Sequence, residues 1–226
     1  MTTYHPDPQW LFEYVAGTLD DSQALCVSTH LSYCAKCEHQ TATLTGVGAA
    51  MLNSNMPHSE PSPDALSRVL STIDNAPAKE GGVRTPGGTS IDSGTDKLPP
   101  LIQKLVSTEV SDLPWKNIGS RISMARLNSL DGDREVALHR LQPGGSVSNH
   151  DHGGREITVV LQGSFSDQDG EYFPGDFLVR EPGETHRPSA SNNEECLCLA
   201  VCDAPVKFTG FFARLFNPLV AYLHRH

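Results

Sequence analysis

No run of eighteen or more apolar residues occurs in the 226-residue chain, which excludes a membrane-spanning helix. The opening "MTTYHPDPQW" lacks the basic-then-apolar layout of a secretory signal, so the sequence predicts a cytoplasmic protein. In that reducing compartment the six cysteines (Cys26, Cys34, Cys37, Cys196, Cys198 and Cys202) read first as metal ligands or small buried residues. Basic side chains are scarce early on: residues 1–75 hold only Lys36 and Arg68 against eight carboxylates. Such a segment repels nucleic acid and attracts a basic protein, although acidity also serves solubility, and charge alone favours that plainer reading. Repeats and heptads are absent.

What is present divides the chain in two. Residues 75–100, "NAPAKEGGVRTPGGTSIDSGTDKLPP", are rich in Gly, Ser, Thr and Pro and have almost nothing large and apolar to bury. This is tether chemistry, and the predicted boundaries are 1–75, a flexible linker at 76–98, and 99–226. Before the tether the periodicity is helical. Trp10, Leu11, Tyr14, Val15 and Leu19 share a face behind an Asp7 cap. Leu25, Cys26, Ser28, Thr29 and Leu31 follow behind Asp20 or Asp21. A third helix is predicted from Ala35, weakened by Gly46 and Gly48, and a fourth from Ser62, with Pro63 at its first position. After the tether the period becomes two, in "REVALHRLQ", "REITVVLQGSF", "GDFLVREP" and "CLCLAVCDAP". The tail "FFARLFNPLVAYLHRH" returns to helical spacing. The predicted fold is a small four-helix all-α domain followed by an all-β barrel or sandwich with a C-terminal helix.

The stretch "STHLSYCAKC" carries His30, Cys34 and Cys37 as H-x-x-x-C-x-x-C. His30 and Cys34 stand one helical turn apart, and Cys34 and Cys37 form the C-x-x-C hook common at zinc sites. Zinc wants a fourth ligand. His5 is able to swing onto the site from ahead of the first helix; His39 and Cys26 are rivals. A small helical bundle gains from such a staple, having little core of its own.

With its early histidine, "THLSYCAKC" resembles the zinc-binding anti-sigma domain, over roughly residues 1–75. In the ChrR-type branch an N-terminal histidine completes the site, which implies His5. The resemblance implies a four-helix module that clamps an ECF-type (group IV) sigma factor and blocks its union with core RNA polymerase.

The β part holds a second pattern. "GGSVSNHDHGGREITVVLQG" reads G-x5-H-x-H-x3-E-x6-G, through Gly144, His150, His152, Glu156 and Gly163. Alternation puts His150 and His152 on one face of a strand, and the Gly153–Gly154 bend lets Glu156 return to them. "GDFLVREPGETH" adds Gly175, Gly183 and His186. Three imidazoles and a carboxylate suit a divalent transition metal such as Zn, Mn, Fe or Ni. These blocks resemble the cupin fold over about 100–205, with departures: Glu181 stands where the pattern has proline, Pro182 comes one place late, and Ala190 replaces an asparagine. A zinc anti-sigma domain followed by a cupin is the layout of ChrR-type anti-sigma factors.

In "CLCLAVC", Cys196, Cys198 and Cys202 fall on one face of a strand, near the metal if that face points inward; packing is their plainer role. Trp10 and Trp115 read as core residues. The family resemblance implies a regulator, not an enzyme, that frees its sigma factor when the cupin senses singlet oxygen or related oxidants. A metal-dependent cupin enzyme of dioxygenase or isomerase type, with an appended zinc domain, is the alternative.

Overall fold

Asp7 starts the first helix as expected: its carboxylate accepts from the Gln9 amide at 2.8 Å. Helix α1 spans Pro8–Ala16 and stops at Gly17, whose φ of 69° is the left-handed conformation that suits glycine. Helix α2, Asp21–Leu31, is capped by Asp20, which accepts from the amides of Ser22 and Gln23. Helix α3, Ala35–Asn55, follows after a short turn. The computed structural model describes residues 2–55, 61–75, 98–106, 108–127 and 134–208.

Helix α4, Ala65–Asp74, begins three residues later than the expected Ser62. Its N-cap is Asp64, and Pro63 lies in the preceding turn. It buries none of its side chains. Helix α5, Pro100–Val106, was not anticipated from the sequence; it anchors itself through Ile102 and Val106. The expected tether is outside the described residues except for Leu98, which is buried. The expected C-terminal helix also lies outside them.

Among the described residues twelve strands follow. β1 (Lys116–Gly119), β2 (Ile122–Arg126), β3 (Glu135–Leu141), β4 (His150–His152), β5 (Glu156–Gln162) and β6 (Phe165–Ser166) come first. β7 (Glu171–Tyr172), β8 (Phe177–Arg180), β9 (Thr185–His186), β10 (Ser189–Ala190), β11 (Cys196–Cys202) and β12 (Val206–Phe208) complete the set. They form one six-stranded sheet, ordered β1-β2-β3-β11-β5-β8, and two three-stranded sheets, β10-β6-β7 and β12-β4-β9. All of their pairings are antiparallel. The expected barrel is therefore, among the described residues, a cupin-like stack of sheets that backbone hydrogen bonds do not close. The short strands β4, β6, β7, β9 and β10 explain this, since two or three residues give little edge to pair.

Strand β11 is buried along its whole length, as a central strand covered on both faces should be. Leu197, Leu199 and Val201 face the helices and join Leu11, Leu25, Val27, Val136, Leu138, Ile157 and Val159 in one core. Ile102 of α5 belongs to the same core. Burying each such aliphatic side chain stabilises by roughly 1.5–3 kcal/mol, so the helices are held mainly by this sheet face. Cys196 and Cys198 face the other way, into a second core with Ile122, Leu141, Val160, Phe165, Tyr172 and Leu178. All six cysteines are buried free thiols.

Polar contacts reinforce the seam. Asp176, fully buried, accepts from the Thr3 and Tyr4 amides at 2.6 and 3.0 Å. The Tyr33 hydroxyl donates to the Leu161 carbonyl at 3.0 Å. Arg134 bridges Asp20, the cap of α2, and Asp203 at the end of β11.

Candidate metal centres

His30 closes the last turn of α2, Cys34 follows in the turn, and Cys37 sits in the first turn of α3. His5 comes from the segment ahead of α1. The four offer ligand atoms that all lie within 4.8 Å of one another. His5 Nδ1 is 3.4 Å from Cys34 Sγ and 3.5 Å from Cys37 Sγ. A zinc ion with ordinary Zn–S and Zn–N bonds sets tetrahedral edges of about 3.5 Å between sulfur and nitrogen, so the spacing fits. The rivals fall away: Cys26 is buried in the hydrophobic core, and His39 is exposed on α3.

The donors are prepared for a cation. His30 donates from Nδ1 to the Gly175 carbonyl at 2.6 Å. Its Nε2, with no hydrogen-bond partner although buried, is left as a lone pair. Burial, with the Gly175 bond opposing, pushes the His30 pKa down to about 4, so the ring stays neutral. Burial raises the Cys34 pKa, but hydrogen bonds from Thr2 and from the Cys37 amide prevail and hold it below the ordinary thiol value. Cys37 is pushed up to about 12 by burial and by the neighbouring Cys34 sulfur. Both sulfurs would therefore be thiolates together only with a cation between them, and the N-terminus of α3 favours that negative charge.

The second cluster lies between the β12-β4-β9 sheet and the large sheet. His150 and His152, 5% and 3% exposed, point inward from β4 on either side of Asp151. His186 on β9 pairs in register with His150, and Glu156 enters from the first position of β5. Again the ligand atoms lie within 4.8 Å of one another.

The tautomers follow from the outer contacts. His150 donates from Nδ1 to the Ser148 carbonyl at 3.0 Å, and His186 from Nδ1 to Asp167 Oδ2 at 3.2 Å. Their Nε2 atoms therefore confront one another as lone pairs, 3.0 Å apart. That repulsion is relieved by a shared cation: two nitrogens bound at about 2.1 Å and a right angle stand about 3.0 Å apart. His152 donates from Nδ1 to Glu156 Oε2 at 2.9 Å and leaves a buried Nε2 with no partner. Burial, aided by the neighbouring His186, pushes the His150 pKa down to about 4. Burial would raise the Glu156 pKa, but the His152 hydrogen bond and nearby imidazoles outweigh it, so the carboxylate stays ionised. Both donor sets fit a divalent metal, the first softer through its sulfurs, the second harder.

All eight residues singled out from the sequence come together in these two groups. Sequence reasoning missed the supports: Asp167 behind His186, the Gly175 carbonyl behind His30, and Asp176 under residues 3–4. Each lies far in the chain from the residue it supports, and although Gly175 and Asp176 open the second cupin block, nothing in that pattern assigns them contacts with the N-terminal residues.

Comparison with known proteins accounts for both parts. A family model described as the ChrR cupin-like domain matches residues 103–206. The anti-sigma-E factor ChrR of Cereibacter sphaeroides is 31% identical over 221 residues, covering 95% of this chain and 96% of that protein. The crystal structure of Rhodobacter sphaeroides SigE in complex with the anti-sigma ChrR matches with a TM-score of 0.74 and 27% identity, over 90% of this chain and all of that one. This chain belongs to the ChrR family.

Proposed function

We propose that this chain is an anti-sigma factor that binds and inhibits an ECF-type sigma factor in the cytoplasm and releases it in response to singlet oxygen or related oxidants. The observation that carries this reading is the 31% identity to an anti-sigma factor across 95% of the chain. It favours a regulator over a cupin enzyme.

Residues 1–75 are the binding module, 76–98 the tether and 99–226 the sensing part. His5, His30, Cys34 and Cys37 hold zinc, which ties the approach to α1, the end of α2 and the start of α3 into one rigid corner. From that corner α3 and α4 project apolar side chains into solvent. Val47, Met51 and Leu52 on α3 are more than half exposed, as are Leu66, Val69 and Ile73 on α4, and Leu70 is half exposed. Apolar surface left uncovered on this scale marks a protein-binding face, and it supports α3 and α4 as the grip on sigma. No helix among the described residues is long and apolar enough to cross a membrane.

His150, His152, Glu156 and His186 hold a divalent transition metal, which when bound supplies a single positive centre that locks four donors in place. A change in that donor arrangement under oxidant starts release. The sigma factor must then bind the altered form more weakly; a tenfold loss corresponds to about 1.4 kcal/mol. Purification of the chain with its cognate sigma factor tests the reading: a one-to-one complex that blocks sigma-dependent transcription is expected, and no complex would refute it.

A further inference from the structure

The contacts behind the ligands of the two clusters lead to one another. Both histidines of the N-terminal cluster rest on the turn between β7 and β8. His30 donates to the Gly175 carbonyl at 2.6 Å. His5 directly follows Tyr4, whose carbonyl accepts from the Phe177 amide at 3.0 Å and whose amide donates to Asp176. Asp176 in turn accepts from the Phe173 amide at 2.9 Å through its other oxygen, which ties the turn to the strap of residues 3–5. The approach is too close for side chains: a β-carbon on Gly175 would collide with Tyr33 and Thr2, and one on Gly170 with the Tyr4 hydroxyl.

From the same turn a second line runs to the cupin cluster. The Tyr4 ring meets the Tyr172 ring edge-on at 4.9 Å. Tyr172, 1% exposed, donates from its hydroxyl to Asp167 Oδ1 at 2.9 Å. The other Asp167 oxygen receives His186 at 3.2 Å and Arg180 at 2.7 Å. Asp167 has no exposed side-chain surface, so the links from Tyr172 to His186 are dry. A buried carboxylate with its partners satisfied on both oxygens has few alternative positions. Displacing His186 must therefore displace Asp167, Tyr172 or both, and Tyr172 carries Tyr4 against it.

We propose that Tyr4 and Tyr172 are positioning residues that couple the two clusters, so that filling the cupin cluster tightens the grip of the N-terminal cluster on its own ion. By thermodynamic reciprocity, filling the N-terminal cluster tightens the cupin cluster by the same factor. The inference deepens the regulatory reading above and rests on it for its biological consequence: a signal at the cupin would reach sigma by loosening the zinc corner through residues 3–5.

Cobalt(II) is the probe, because sulfur-to-cobalt absorption arises only where cysteines bind it. Affinity at the thiolate cluster is measured in the full chain and in the double variant His150→Ala/His152→Ala, which empties the cupin cluster but leaves His186 on Asp167. The expected weakening is roughly tenfold, within the usual range of coupling between sites. In Tyr172→Phe, which keeps the ring and removes the hydroxyl, emptying the cupin cluster changes the affinity by less than about twofold. If that variant does not fold, Tyr4→Leu at the half-buried end of the contact gives the same readout. Equal weakening in wild type and the tyrosine variants, or no weakening in wild type, overturns the coupling. Co-migration with sigma on gel filtration separates the two claims: a wild-type chain that binds sigma without coupling sinks only this inference. A chain that couples its clusters and binds no sigma sinks only the anti-sigma reading.

Discussion

The helical cluster draws three of its donors from eight consecutive residues, whereas the cupin cluster gathers its four from three strands that belong to two sheets. The first has two sulfurs and the second none. Sulfur donors at helix ends make a closed, structural corner, and three imidazoles with a carboxylate leave room for further ligands. The difference teaches a division of labour. One cluster is suited to hold a shape, the other to respond to small molecules.

The sharpest way to break this comparison is to remove a donor from the structural corner. Cys37→Ser should cut sigma affinity by about 100-fold or more, since zinc corners supply folding energy on the order of 10 kcal/mol. It should also lower the metal content by one ion per chain. Calorimetry with the purified sigma factor and elemental analysis check both, and an unchanged affinity in a metal-free variant would show that the corner is dispensable.

A second test asks whether the two parts share stability as they share a core. Ile157, 2% exposed, packs between sheet and helices. Ile157→Ala should destabilise by about 2–5 kcal/mol. The melt should remain a single transition, followed by circular dichroism at helix and strand wavelengths. Separate transitions would mean that the helices and the sheet fold independently.

A third and smaller effect is expected on the grip itself. Leu70→Glu on the exposed face of α4 should weaken sigma binding by about tenfold, as loss of an apolar interface anchor does, while both ions and the melting temperature stay unchanged. The smallest concerns the seam. Arg134 and its two carboxylates are each about a third exposed, so water screens the bridge, and Arg134→Ala should cost at most about 1 kcal/mol of stability.

Much of this was legible in the sequence because the signals were local. Asp7, Asp20 and Gly17 announce helix ends through their own chemistry, and His30, Cys34 and Cys37 fall together by helical spacing alone. His150, His152 and Glu156 lie within seven residues, and strand alternation aims the two histidines alike. His186 had to be taken from a second block further along the chain, and His5 from ahead of the first helix, where His39 and Cys26 were rivals until the family resemblance pointed to it; metal counting in the variants above tests all eight. Among the described residues the sheets do not close into a barrel, because strands of two or three residues cannot sustain a continuous ladder. Helix α5 was hidden by its seven-residue length and its place beside the Gly- and Pro-rich tether. The seam was illegible for another reason. Tyr4 against Tyr172, His30 on Gly175 and Asp176 under residues 3–4 join positions more than 140 apart, and no periodicity within a segment encodes them.

The claim that one cluster grips while the other decides release is tested most directly by following a preformed complex with sigma under photosensitised singlet oxygen. The fraction of sigma still bound is compared between the wild-type chain and His150→Ala. The account predicts that wild type sheds its sigma factor on exposure. His150→Ala starts with a smaller bound fraction, because its weakened cupin cluster already loosens the zinc corner, and loses no further sigma. Equal shedding from both, or failure of His150→Ala to bind sigma at all, would contradict it.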